Sequence, residues 1–220
     1  MSKTDPPDLQ RRSPGPLSRR ACLLAAVSAS VSAWAGLSGC ASSPLPQLLR
    51  LRSEPPVPAP PAGAATVTVT VTVIWQLMLP VRLPDYLNRD ALLLPTGQSG
   101  LQALAGYRWA EPLADSLPRL LRADLAALLG EDRVWTAPLP PGLRVQRQLR
   151  VEVLAFEAAA DRASVSLRAR WSVADIAGSA APRAEAATIT VPSTGADADS
   201  LASAHRLALW RLAERIAAGE

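Results

Sequence analysis

The chain is poor in the residue types that carry most protein chemistry. Its 220 residues include one histidine and two cysteines, and aromatic side chains make up only 4%. Lys3 is the single lysine, so nearly all of the 23 basic residues are arginines. A phosphate-loop lysine and a Schiff-base lysine are therefore excluded beyond the N-terminus. Because histidine and cysteine are also too scarce for a zinc site, we expect no metal and no cofactor.

The basic surplus is concentrated at the N-terminus. Residues 1–39 hold five of the 23 basic residues and two of the 19 acidic ones, which leaves 18 and 17 in the remainder. The net charge of that remainder is therefore +1. A nearly neutral domain lacks the basic stripe that binds nucleic acid, so we expect no nucleic-acid partner.

The first 39 residues have the composition of an export signal. Four arginines precede an apolar run of small residues at 21–37, which is too short and too rich in alanine and serine to span a membrane. The pair Arg19 and Arg20 partly resembles a twin-arginine motif. Export by the Sec route and export by the Tat route both stay open.

The apolar run ends in Leu37, Ser38, Gly39 and Cys40, which resembles a bacterial lipoprotein box. Small residues before a cysteine fit a signal peptidase, and the thiol can form a thioether to a lipid. We predict that residues 1–39 are a lipoprotein signal peptide and that Cys40 is the lipid-attachment residue. The alternative is an ordinary signal, or a weak membrane anchor, with a chance cysteine. Ala41 follows the cysteine, and by the enterobacterial sorting rule this favours the outer membrane.

The remaining chain divides into a short N-terminal region and one domain. Residues 40–65 are interpreted as the lipidated N-terminus, with a short strand at 47–52 and a proline-rich spacer at 54–61. Residues 66–220 are long enough for one core but not for two. Whether strand 47–52 joins that domain stays open at this point.

Hydrophobic periodicity predicts the elements of the domain. Alternation of apolar and polar side chains indicates strands, with Trp171 among the inward-facing residues; they are expected at 66–73, 91–95, 101–109, 149–155, 165–173 and 187–191. A leucine stripe predicts a helix from Pro112 to Gly130, which Pro118 should kink or delay, and a second stripe predicts a C-terminal helix over 201–216. The expected class is α/β with α+β character: a single domain with a mixed, mostly antiparallel sheet of about six strands and two long helices.

Two short segments are more distinctive than the rest. In the first, residues 83–90, Asp85, Tyr86 and Arg89 are candidates for contact with a partner or another subunit. The alternative is that Leu83 and Leu87 anchor a crossover, stiffened by Pro84, and that Tyr86 merely packs.

The second segment spans residues 108–113, and we expect a structural role for it. Trp109 should end a strand in the core. Glu111 suits the positive end of a helix, and Pro112 suits a first-turn position.

These segments, together with the lipoprotein box, resemble the ABC-type transport auxiliary lipoproteins of the PqiC-like family. A strand that carries Leu167, Ala169 and Trp171 completes the resemblance, which covers nearly the whole chain after residue 39. The resemblance implies a non-catalytic lipoprotein on the periplasmic face of the outer membrane, with an α/β fold and ring-like homo-oligomers. It also implies a partner: the periplasm-spanning protein of a mammalian-cell-entry (MCE) type lipid transport system. The family-motif positions that it identifies as structural are Leu83, Pro84, Leu87, Trp109, Glu111, Pro112 and Trp171.

Two other functions stay open from the sequence. One is a periplasmic scaffold lipoprotein of the cell envelope with no role in transport. The other is a lipoprotein hydrolase, for which His205 would be the base with Ser200 or Ser203 nearby. A catalytic triad needs a base that a third group orients, and no local motif around His205 supplies one, so we expect His205 to be a surface or packing residue.

Overall fold

The computed structural model describes residues 45–57, 73–176, 178 and 181–219. The predicted signal peptide, Cys40 and nearly all of the strand predicted at 66–73 lie outside these residues. The described elements follow one another as β1 (Gln47–Leu49), β2 (Trp75–Leu77), β3 (Leu93–Thr96), β4 (Gly100–Ala103), β5 (Tyr107–Trp109), α1 (Leu113–Leu129), β6 (Val134–Trp135), β7 (Arg147–Ala158), β8 (Ser164–Asp175), β9 (Arg183–Pro192) and α2 (Ala198–Ala217).

The main sheet has five strands in the order β6-β2-β7-β8-β9. The short strand β2 pairs parallel with both β6 and β7, and the three long strands β7, β8 and β9 pair antiparallel. Two small ladders stand apart from it, a parallel pair β1-β5 and an antiparallel hairpin β3-β4. The predicted α/β class with α+β character and the mixed sheet are confirmed, although the main sheet has five strands where about six were expected.

Both helices lie on one face of the main sheet. Helix α2 packs across β7, β8 and β9, and α1 packs against α2 and β6. Strand β8 shows why, since Leu167, Ala169 and Trp171 point to the helices and are at most 5% exposed, while Arg168 and Arg170 between them are exposed. This alternation is the one that the sequence predicts for a half-buried strand. We call the opposite face, which no described helix covers, the outer face.

A β-bulge in β7 overturns one expectation about the core. The alternation of Leu149, Val151 and Val153 predicts that Ala155 also points inwards. The pairing of β7 with β8 shifts register between Val153 and Ala155, so the extra residue moves the inward positions on by one. Phe156 is therefore the buried residue, at 2% exposure, and Ala155 is half-buried.

The start of α1 also differs from expectation. Pro112 is the N-cap residue and not a first-turn residue, since the helix begins at Leu113. Pro118 lies inside the helix and does not delay it, although its missing N–H leaves one backbone carbonyl without a helical partner. Gly130 ends the helix as predicted, with a φ of 120° that favours glycine.

One predicted strand is two. Residues 101–109 contain the end of β4 and all of β5, and a turn at Gly106 with a φ of 80° separates them. β1 pairs in parallel with β5 through Leu49 and Trp109, so the short strand predicted at 47–52 is present as Gln47–Leu49.

Neither of the helices that the structure describes combines the length and hydropathy needed to cross a bilayer.

Candidate functional site

After β2 the chain runs along the edge of β7, and we call residues 79–90 the crossover segment. Its backbone pairs with that strand: the N–H of Arg82 donates to the carbonyl of Val151 at 3.3 Å, and the N–H of Val153 donates to the carbonyl of Arg82 at 2.8 Å. Arg82 thereby forms a parallel bridge with Glu152. The segment is held in place by the sheet rather than hanging free as a loop.

The residues singled out in this segment divide between core and solvent. Leu87 is 4% exposed, and Leu83 and the ring of Tyr86 are half-buried against the core. The Tyr86 hydroxyl donates a hydrogen bond to Glu157 Oε1 at 2.5 Å. Burial, and next the Glu157 carboxylate that accepts this bond, raise the pKa of the Tyr86 phenol well above its ordinary value. Asp85 and Arg89 are exposed, and their role in partner contact stays a prediction.

A cleft of about 670 Å³ lies between the crossover segment and the outer face. We call it the arginine cleft, because three arginines, Arg82, Arg150 and Arg170, line it, against two carboxylates, Glu152 and Glu185. Arg170 Nε donates to Glu152 Oε2 at 2.6 Å, which compensates one positive charge. No side-chain hydrogen bond or ion pair with a described residue occupies Arg82 or Arg150, so the cleft has a positive balance.

The remaining wall of the arginine cleft is largely apolar. Met78, Leu79 and Pro80 line it on the side of the crossover segment, and Leu79 is 48% exposed. Guanidinium groups bind carboxylates and phosphates through paired hydrogen bonds. A cleft with free guanidiniums beside an apolar wall can therefore hold an acidic group that is attached to an apolar one.

A second depression, of about 470 Å³, lies on the other side of the crossover segment. Asp85 and Asn88 line it, and it shares Pro80, Arg82 and Glu152 with the arginine cleft. The two depressions therefore form one continuous surface with the exposed residues between them. We call this the crossover surface, meaning the exposed side chains of residues 79–90 and the linings of both depressions.

The segment 108–113 contributes Trp109 to the core, while its exposed Arg108 donates to Asp90 Oδ2 at 2.6 Å, at the end of the crossover segment. Trp109 is 5% exposed, and it ends β5 as expected. Its ring meets the imidazole of His205 edge-on, with 5.6 Å between ring centroids. Glu111 forms an ion pair with Arg119, on the second turn of α1, and Pro112 caps that helix.

Comparison with known proteins assigns the chain. The sequence model of the ABC-type transport auxiliary lipoprotein component family matches residues 57–217. The chain belongs to this family. None of the curated proteins matches it.

Solved structures show the same fold. An uncharacterised protein, 19% identical, aligns over 67% of this chain and 92% of its own with a TM-score of 0.57. A Xanthomonas campestris protein of the DUF330 family, 18% identical, aligns over 77% of this chain and 92% of its own with a TM-score of 0.56. At such identities the similarity shows the fold alone.

His205 packs inside this family member. It is 3% exposed, its Nδ1 lies 2.8 Å from the carbonyl of Leu201, and its ring lies 4.7 Å from that of Phe156. Burial lowers the pKa of His205 to about 4, against an opposing effect of the Leu201 bond. The ring is therefore neutral at pH 7, and Nδ1–H is the donor to Leu201.

The serines near His205 have other roles in the structure. The Ser200 hydroxyl donates to Asp197, which caps α2, and Ser203 is exposed. The hydrolase arrangement is thus not assembled among the described residues. The same residues hold no group of three histidine, cysteine or acidic side chains that could bind a metal ion.

A buried ion pair connects the two helices, and none of the sequence-based predictions includes it. Arg206 donates to both carboxylate oxygens of Asp124, at 2.7 and 2.5 Å, and its Nε donates to the carbonyl of Arg52 at 2.7 Å. Both side chains are at most 3% exposed. Burial raises the pKa of Asp124, and the bonds from Arg206 oppose that rise. The sequence pattern could have indicated this burial. Asp124 lies four positions after Leu120, and Arg206 lies four positions after Ala202, so each is on the buried face of its helix.

Proposed function

We propose that the protein is the lipid-anchored, outer-membrane component of an MCE-type, ABC-linked intermembrane lipid transport system. In this role it docks the periplasm-spanning MCE protein to the outer membrane. Family membership over residues 57–217 carries the proposal, because the family is defined as an auxiliary lipoprotein component of ABC-type transport. The predicted lipoprotein box ending in Cys40 supports it.

The crossover surface is the surface that we propose for docking. Interfaces derive most of their binding energy from a few anchoring residues, among which arginine and tyrosine are enriched. Binding costs less when those residues are already held in position. Arg89 is exposed on a segment that the backbone bonds to Arg82 and the Tyr86–Glu157 hydrogen bond hold against β7. The neighbouring arginine cleft adds two free guanidiniums.

The test is co-purification of the lipidated protein with an MCE protein of its own organism. Arg89→Glu should weaken that binding by about tenfold or more, as expected for a change of 1.4 kcal/mol or above at an anchoring arginine. Arg215→Glu is the matched control. Arg215 is also an exposed arginine, but it lies near the C-terminal end of α2.

Each result has one meaning. Retained binding in Arg215→Glu with lost binding in Arg89→Glu supports the proposed surface. Equal binding in both variants overturns the surface but not the partner. A wild-type protein that does not bind the MCE protein overturns the proposed function. Loss of homo-oligomers in Arg89→Glu, with MCE binding intact, would assign the surface to contacts between copies.

A further inference from the structure

Two leucines at and just before β1 are exposed where the fold does not require it. Leu49 and Leu51 point into the core and are 9% and 3% exposed. Leu48, directly before Leu49, is 67% exposed, and Leu45, two residues before the strand begins, is 91% exposed. The solvent side of a half-buried strand is ordinarily polar, so packing within the described domain does not account for these two leucines.

Chain length places these leucines close to the predicted lipid. Five residue steps separate Leu45 from Cys40, and a chain of five residues spans at most about 18 Å. The hydrocarbon core of a bilayer alone is about 30 Å thick. A lipid on Cys40 therefore holds the β1 end of the domain next to the bilayer surface.

We infer that Leu45 and Leu48 contact the bilayer that carries the anchor. Apolar side chains enter the boundary between headgroups and acyl chains. Arg50, the first residue after the strand, is also exposed, and an arginine can lay its apolar stem along such a surface while its guanidinium reaches lipid phosphates. The lipid surface thus covers Leu45, Leu48 and Arg50, and the domain sits on the membrane in one orientation. The inference rests on the proposed function only through the acylation of Cys40, and not through the MCE partner.

The fold supplies a control position at the opposite end of the domain. β1 lies at the Phe156 end of β7, because Leu49 pairs with Trp109, and the rings of Trp109 and Phe156 both contact His205. Ile176 donates its N–H to the carbonyl of Gln146, beside the other end of β7. Ten residues of strand separate Gln146 from Phe156, a length of about 33 Å. Ile176 is also an exposed apolar residue, at 50%.

The experiment uses a single fluorescent probe on the lipidated full chain. Signal cleavage would remove Cys22, and acylation would block Cys40, so an introduced cysteine would be the one free thiol. L48C and I176C are each labelled with an environment-sensitive dye and reconstituted in vesicles of phosphatidylethanolamine and phosphatidylglycerol. Quenching by aqueous iodide and quenching by lipid-borne nitroxide are then measured for both.

The probe at position 48 should emit at shorter wavelength, respond to lipid-borne nitroxide and resist iodide several-fold better than the probe at position 176. Equal iodide access at both positions, in protein that floats with the vesicles, overturns the inference while leaving the anchor intact. Shielding from iodide without quenching by lipid-borne nitroxide identifies a second copy as the occupant, and also overturns it. Protein that is not acylated and does not float overturns the anchor, and the inference with it.

Discussion

The Tyr86 hydroxyl donates to Glu157 Oε1 at 2.5 Å, across 71 residues of sequence, and so joins the crossover segment to β7. Removing this hydroxyl should lower the free energy of unfolding. A hydrogen bond to a charged group contributes about 1.5–3 kcal/mol, and partial exposure reduces that, so we expect about 1 kcal/mol for Tyr86→Phe. Urea unfolding measures it.

Tyr107→Phe is the control for this change. Tyr107 is also half-buried against the core, and its hydroxyl has no hydrogen bond to a described residue. Removing the Tyr107 hydroxyl should leave the urea midpoint nearly unchanged. Equal destabilisation in both variants would mean that the ring, and not the bond to Glu157, holds the crossover segment.

The buried pair Asp124–Arg206 should be far more sensitive to single than to double replacement. Truncating one partner leaves an uncompensated charge in the core, which costs about 3–5 kcal/mol. Asp124→Leu and Arg206→Met should each destabilise the domain by that amount. The double variant Asp124→Leu/Arg206→Met should recover most of the loss, because two apolar side chains need no partner. A double variant whose loss equals the sum of the two single losses would show that the two residues do not interact.

His205 should make the stability depend on pH. Its pKa is about 4 in the folded protein and 6.5 in a model state, so the unfolded chain binds the proton first as the pH falls. The contribution of neutral His205 to the free energy of unfolding is fully present above pH 6.5, and it declines as the pH falls to about 4. Over that range the loss approaches about 3 kcal/mol, at 1.36 kcal/mol for each pKa unit.

His205→Phe removes this titration and keeps a ring between Trp109 and Phe156. The difference in unfolding free energy between the wild type and this variant should therefore shift in favour of the variant below pH 6.5. Chemical denaturation at pH 7, 5.5 and 4.5 measures it. A difference that is constant with pH would contradict the burial-driven pKa shift.

The first strand should be required for full stability, although a proline-rich stretch follows it. A chain that starts at Thr66 loses the buried side chains of Leu49 and Leu51, and Arg206 loses the carbonyl of Arg52. Burial of each leucine is worth about 1.5–3 kcal/mol. The chain from Leu45 to Glu220 should therefore unfold at clearly higher urea than the chain from Thr66 to Glu220. Equal midpoints would show that β1 is an accessory strand.

Local patterns predicted those parts of the fold that depend on neighbours in sequence. The leucine stripe of α1 and the alternation of β8 each follow from the geometry of a single element, so both helices and the long strands were foreseen. Phe156 was missed because a bulge breaks the alternation of β7, and nothing in the local composition requires a bulge there. No prediction covers Asp124 and Arg206, since only the packing of α1 against α2 shows that both are buried.

The candidate site depended even more on long-range contacts. The prolines and the exposed charges of residues 83–90 could be read from sequence. The arginine cleft could not, because Arg82, Arg150 and Arg170 come from three different segments. They meet because the crossover segment pairs with β7, and β7 with β8.

The Nε–carbonyl bond between Arg206 and Arg52 has a mechanical consequence. Tension applied to the chain before Leu45 enters the fold at β1, which is held by a parallel ladder of only three residues. Such a short ladder is the weakest element along that path. The next contact downstream is the hydrogen bond that the carbonyl of Arg52 accepts from Arg206 on α2. Because Arg206 also pairs with Asp124 on α1, this contact transmits the force to both helices. A pull on the tether would therefore separate β1 from β5 first and would then act on the ion pair that joins the two helices.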